Sequence, residues 1–134
     1  MPLRVSLVRA LRYRQIRNQA EGHCREMIVK PKSKNPLYPD LSEEQQYFVL
    51  GIEADDYRIL NDGGKPYLYS PELFNVVDPK EPEDWVTEFG SDGERYAYPT
   101  PLNEAGFFED FFDQKPKQTS IFWRIVNQKL ARAA

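Results

Sequence analysis

The 134-residue chain carries few of the groups that acid–base or nucleophilic chemistry uses. Its one histidine, His23, and its one cysteine, Cys24, are adjacent. A Cys–His site needs thiol and imidazole brought together from separate segments, and neighbours in sequence do not provide that. A single cysteine also excludes an internal disulfide and a thiolate zinc site within one chain, and it fits a reducing cytoplasm. Asp62-Gly63-Gly64-Lys65 is too short for a phosphate loop and lacks the Ser or Thr that follows the lysine of one. Two groups of carboxylates remain, Asp55-Asp56 and Glu109-Asp110 with Asp113. Paired acids can bind a hard cation or exchange protons, but this spacing is not that of an EF-hand loop, and acids at turns and on helix surfaces also serve solubility. We expect no catalytic residue, no metal site and no cofactor.

The more informative residues are charges segregated along the chain, and tyrosines. The net charge of −3 conceals six arginines against two glutamates over Met1–Glu26, a balance of +4. From Asp40 to Asp113, nineteen acids face Arg58, Lys65, Lys80 and Arg95, a balance of −15. Such a field repels nucleic-acid phosphate and favours cationic partners; solubility alone is the plainer alternative. Tyr57, Tyr67, Tyr69, Tyr96 and Tyr98 fall on predicted strands. Tyrosine offers a large contact area with a polar tip at low entropy cost. Together these residues predict a binding face of Asp55, Asp56, Tyr57, Tyr67, Tyr69, Glu88, Asp92 and Glu94. No run approaches the roughly 20 apolar residues that a membrane-spanning helix needs, so no membrane partner is expected.

The elements that would carry this face centre on Gln45–Asp78. Tyr47–Glu53 is dense in aromatic and branched residues, as strands are. Tyr57–Leu60 forms a second run, Asn61-Asp62-Gly63-Gly64 predicts a tight hairpin, and Tyr67-Leu68-Tyr69 returns. Ser70-Pro71 caps one helical turn before a last short strand over Asn75–Asp78. Upstream, Ile28–Pro39 holds three prolines among lysines and reads as an extended, mostly solvated lead-in. Ser42-x-x-Gln45 has the spacing of a capping box and predicts one helical turn.

The succession Tyr47-x-Val49, Tyr57-x-Ile59, Asn61-Asp62-x-Gly64, then Tyr69, Pro71, Leu73 and Phe74 resembles small SH3-like barrels of bacterial and phage proteins. In those, a short helical turn precedes the last strand. Tyr69-Ser70-Pro71 departs from the pattern by an extra serine. The resemblance covers about a quarter of the chain and implies a fold without a site, because such barrels host many unrelated functions.

A second hairpin is predicted from Trp85–Phe89 and Arg95–Tyr98 around Gly90-Ser91-Asp92-Gly93-Glu94, with Trp85, Thr87 and Phe89 on a buried face. Leu102–Asp113 reads as a short helix capped by Asn103, gathering Phe107, Phe108, Phe111 and Phe112 on one side. Thr119–Ala131 is the longest helix expected. The fold class is thus α+β: a small, mostly antiparallel SH3-like barrel or curled sheet, followed by a second hairpin and two C-terminal helices. We divide the chain into a basic extension over 1–26 and one domain over 27–134, with the barrel-like part at 41–78 and the hairpin and helices at 84–132.

These observations point to a non-enzymatic, cytoplasmic protein-interaction module. Its most concrete form is an immunity-type inhibitor that covers a cationic toxin or enzyme. The alternatives are a nucleic-acid adaptor using the basic N-terminal arm, and a structural component of a larger assembly.

Overall fold

The computed structural model describes residues 26–133 of the chain. Its central element, β2 (Tyr47–Glu53), is buried on both faces, which is why its apolar residues run without a break. Tyr47, Val49 and Ile52 face one core, while Phe48 and Leu50 face another. Five strands form a continuous path in the order β4 (Pro66–Tyr69), β3 (Asp56–Leu60), β2, β1 (Ile28–Pro31), β5 (Phe74–Asp78). β6 (Trp85–Phe89) pairs with β7 (Arg95–Pro99), and β7 joins the C-terminal half of β2 through Ile52 opposite Ala97. All the pairings are antiparallel.

The first core lies within the sheet itself. Val29, Tyr47, Val49, Ile59, Tyr69, Phe74 and Ala97, from six different strands, pack together. The rings of Tyr69 and Phe74 are 6.3 Å apart, so the two ends of the path approach each other. Among the described residues no ladder joins β4 to β5, and the sheet is open. The second core lies between the sheet and two helices, α1 (Phe107–Phe112) and α2 (Pro116–Ala133), where Phe48, Leu50, Leu60 and Tyr98 meet Phe107, Phe108, Phe122 and Val126. The architecture is α+β, an antiparallel seven-stranded sheet that includes the second hairpin, followed by two C-terminal helices; the class, the antiparallel pairing and the helices are as expected from the sequence, and the strand β1 is not.

Each hairpin has its own turn chemistry. Between β2 and β3, Ala54 and Asp55 both take positive φ (48° and 69°), the backbone of a two-residue turn that suits the twist of the strands. Asp55 is held there by Arg95, its N–H donating to the Arg95 carbonyl at 3.0 Å and its carboxylate accepting the Arg95 N–H at 3.1 Å. Between β3 and β4, the buried Asn61 side chain accepts the N–H groups of Gly63 and Lys65, both at 3.0 Å, and Gly64 takes φ 75°. The tip is then anchored to the loop before β2, with Tyr47 and Ser42 hydroxyls donating to the two oxygens of Asp62 at 2.8 and 2.6 Å.

Several local expectations are corrected. Ile28–Pro31 is a strand in mid-sheet rather than a solvated lead-in: Ile28 and Val29 are fully buried, each contributing about 1.5–3 kcal/mol. Two apolar residues are too few to show periodicity, and the partners that bury them come later in the chain. Ser42–Gln45 is a turn and not a helix, because the Ser42 hydroxyl goes to Asp62 instead of capping. β6 has no buried face. Phe89 is 69% exposed, since β6 is the outermost strand and the helices cover β2, β3 and β7 instead. The first helix is shorter than expected. Thr100–Leu102 forms a 3-10 turn ending at Asn103, and Gly106, at φ 75°, starts α1.

The segment read as a basic extension, residues 1–26, lies outside the described residues except for its last. Glu26 accepts a hydrogen bond from Lys129 Nζ at 2.7 Å, and the Lys129 side chain is 3% exposed. This ion pair ties the entry of β1 to the last turns of α2.

Candidate functional site

Four basic residues lie within the acid-rich block, and the fold occupies two of them internally. Arg58 on β3 is 4% exposed and donates three hydrogen bonds: Nε to the Tyr98 hydroxyl at 3.0 Å, Nη1 to the Pro66 carbonyl at 2.9 Å, and Nη2 to Glu53 Oε1 at 2.8 Å. The Tyr98 hydroxyl in turn donates to the same glutamate oxygen at 2.9 Å, and the guanidinium carbon sits 4.0 Å from the centre of the Phe108 ring. A fully charged group survives there because carboxylate, hydroxyl, carbonyl and ring face together replace its water. The alternation of β3 places Arg58 on the side of Leu60, but its partners come from β2, β4, β7 and α1, which no local pattern announces.

Arg95 is the second. It donates Nη1 and Nη2 to the two oxygens of Glu81 at 2.6 and 2.5 Å, and Nη2 also to Thr87 Oγ1 at 3.2 Å. The fork-to-fork geometry holds the Glu81 carboxyl below the usual carboxylate range and raises the Arg95 guanidinium. Lys65 and Lys80 are the remaining basic residues of the block. Lys65 lies in the β3–β4 turn and Lys80 follows β5.

One end of the sheet is therefore strongly acidic. The Asp55–Arg95 contacts bring the β2–β3 turn against the start of β7. This places Asp55 and Asp56 beside the β6–β7 turn that carries Asp92 and Glu94. Glu88, paired with Tyr96, lies on the adjoining strand. The β5–β6 loop carries Glu83 and Asp84, both exposed, at the other end of β6, where Trp85 pairs with Pro99, so acids flank this strand at both ends. Asp55, Glu88 and Asp92 are exposed, whereas Asp56, Tyr57 and Glu94 are half-buried.

The tyrosines of the expected face are not gathered with these acids. Tyr69 is 6% exposed, its hydroxyl accepting from Asn61 Nδ2 at 3.1 Å and its ring against Tyr38 and Phe74, so it belongs to the core and not to a surface. Strand alternation carries Tyr69 to the same side as the turn asparagine, a partner the local pattern does not reveal. Tyr67 is exposed but lies two ladder positions nearer the β3–β4 turn, against Phe112 at 5.7 Å. Tyr57 alone stands near the acids, half-covered by Phe74. Exposed Phe89 on β6 lies outside the expected face because strand alternation groups it with Trp85 and Thr87, whereas exposed Val86 lies on the side opposite to them, as expected.

Burial raises the hydroxyls of Tyr57, Tyr69 and Tyr98 above their ordinary value, for Tyr98 against the opposing pull of Arg58. A phenol that keeps its proton in the fold but loses it near pH 10 when unfolded stabilises the fold fully below that pH. The contribution is lost as pH rises from about 10 towards the folded values. Of the eight tyrosines, buried Tyr69 and Tyr98 are expected to ionise only as the protein unfolds, with tyrosinate absorbance and circular dichroism changing together. Ionisation of all eight near pH 10 with the fold intact would contradict these burials.

A concavity of 610 Å³ between the β3–β4 turn and the helices is lined by Phe111, Phe112 and Trp123, and Lys65 is the one titratable group that faces it among the described residues. Among the described residues no group of three or more His, Cys, Asp or Glu side chains is placed to hold a metal ion. No described helix is long and apolar enough to cross a membrane. Compared with protein-family models, with curated proteins and with solved structures, the chain matches none.

Proposed function

We propose that this chain is a non-enzymatic protein-interaction module that binds a cationic protein through the acids on β6 and in the loops at its two ends. The observation that carries the reading is the occupation of Arg58 and Arg95 by Glu53 and Glu81, which leaves Glu88, Asp92 and Glu94 outside the ion pairs found among the described residues. Electrostatic attraction of this kind speeds encounter and selects the sign of the partner, while a few apolar contacts set the lifetime of the complex. The instance we favour is an immunity-type inhibitor covering the positive site of a toxin or enzyme in the cytoplasm, the compartment that a single cysteine fits.

The scaffold we assign to it is an SH3-like module. What supports that assignment is the 3-10 turn over Pro71–Leu73, capped by Ser70, immediately before β5, together with the pairing of β5 to β1.

Reversing charge at exposed positions tests the function. Glu83→Lys, Asp84→Lys, Glu88→Lys and Asp92→Lys combined should weaken binding to cationic partners at low salt by about a hundredfold or more, chiefly through slower association, and leave circular dichroism unchanged. Unaltered association rates would reject the proposal.

A further inference from the structure

β6 is an edge strand whose ladder is unfilled on one side. Among the described residues it pairs only with β7. The Gly90 N–H donates to the Glu94 carbonyl at 2.8 Å, and bonded and non-bonded pairs alternate along an antiparallel ladder. Glu88 with Tyr96 and Val86 with Tyr98 are accordingly the bonded pairs, and the main-chain groups of Thr87 and Phe89 point away from β7. The other side of β7 agrees with this phase, since the main chains of Arg95 and Ala97 are turned towards Asp55 and Ile52. An edge of this kind is a template for another strand.

We propose that this edge accepts an extended cationic segment of the partner protein as an eighth strand. The inference rests on the proposed function and specifies how the partner is held. Charge complementarity selects the occupant. Glu83 and Asp84 precede the strand, Glu88 lies on it, and Asp92 and Glu94 follow it, with no lysine or arginine between Lys80 and Arg95. Arg95 is itself held by Glu81. Side chains alternate across the strand, so Phe89, 69% exposed, lies on the face of Thr87, and Val86, 42% exposed, lies on the face of Glu88. A segment alternating basic and apolar residues satisfies both faces.

The same charges disfavour a second copy of this chain. Antiparallel self-pairing centred on Thr87 would bring Glu83, Asp84 and Glu88 of both copies together along one seam. The outer edge of β5 also exposes valines, Val76 and Val77, but it adjoins exposed Lys30 of β1 and Lys32 just beyond it, and it would repel a cationic strand.

The test uses the full chain and a short peptide alternating arginine and valine. On binding, the Thr87 and Phe89 amides should slow in hydrogen exchange by about tenfold or more, and N-methylating alternate peptide nitrogens, which keeps the charge, should weaken binding by about tenfold. Thr87→Pro removes one outward N–H that no internal ladder bond uses, and should weaken the peptide to a similar degree. Glu88→Lys, which leaves the main chain of β6 intact, should also weaken it. Equal binding of the methylated and unmethylated peptides, with both lost on charge reversal, would overturn strand addition while sparing the proposed function. Indifference to methylation and to charge reversal alike would overturn both. Protection of Thr87 and Phe89 without peptide would also overturn the proposal. Protection that grows with protein concentration would identify a second copy as the occupant, and protection independent of it would identify the chain's own Arg-rich segment.

Discussion

Gly51→Ala is expected to destabilise the domain by about 3 kcal/mol, and Gly51→Val to prevent folding. A Cβ at this position would stand 2.1 and 2.3 Å from two ring carbons of Tyr98 and 2.9 Å from the Ala97 carbonyl oxygen. The ring cannot swing aside freely. Its hydroxyl is bonded to both Arg58 and Glu53, and Phe108 lies against it at 5.4 Å. The oxygen is main chain and moves only if β7 moves with it. The ladder between β2 and β3 already shifts register between Val49 and Gly51, so the close approach of β7 is built into this bend. Urea denaturation measures the loss, and Tyr98→Leu in the Gly51→Ala background should recover part of it by freeing the space. Wild-type stability of the alanine variant would mean that Tyr98 does not lie over β2.

The second large effect is expected at Arg58. Arg58→Ala should cost about 4 kcal/mol, because it opens a cavity beneath Phe108 and leaves the buried Pro66 carbonyl without its donor. Arg58→Lys should restore less than half of that. An ammonium is one compact charge and cannot meet a hydroxyl, a carbonyl and a carboxylate that diverge around a planar fork. Glu53→Gln should cost much less, about 1 kcal/mol, since the glutamate side chain is 34% exposed and water can replace part of what it gives. The order Ala, then Lys, then the glutamate variant in thermal denaturation is the diagnostic. A lysine variant as stable as wild type would show that the cluster acts as a simple charge pair.

Both effects lie in places the chain's local pattern does not mark, and the contrast with what it does mark has a physical cause. The hairpins were legible because Asn61-Asp62-Gly63-Gly64 and Asp92-Gly93 satisfy backbone requirements within a few residues, whatever the rest of the chain does. β2 was legible because burial on two faces demands an unbroken apolar run. α2 was legible because its apolar positions repeat at helical spacing. β1 was not, because Ile28-Val29 becomes a strand only through β2 and β5. The burial of β6 was misjudged because alternation specifies two faces without saying whether anything covers either.

The candidate site divides in the same way. Composition and order along the chain determined that this protein is acidic across its middle, antiparallel in its sheet and helical at its end, since charge, turn chemistry and periodicity are properties of neighbouring residues. Only the tertiary structure decided which charges face outward. Arg58 and Arg95 find their carboxylates across strands and loops, Tyr69 turns inward to Asn61, and β6 is left with an open edge among acids. Those outcomes depend on contacts between segments distant in the chain, where packing and desolvation select among partners that local pattern leaves equal.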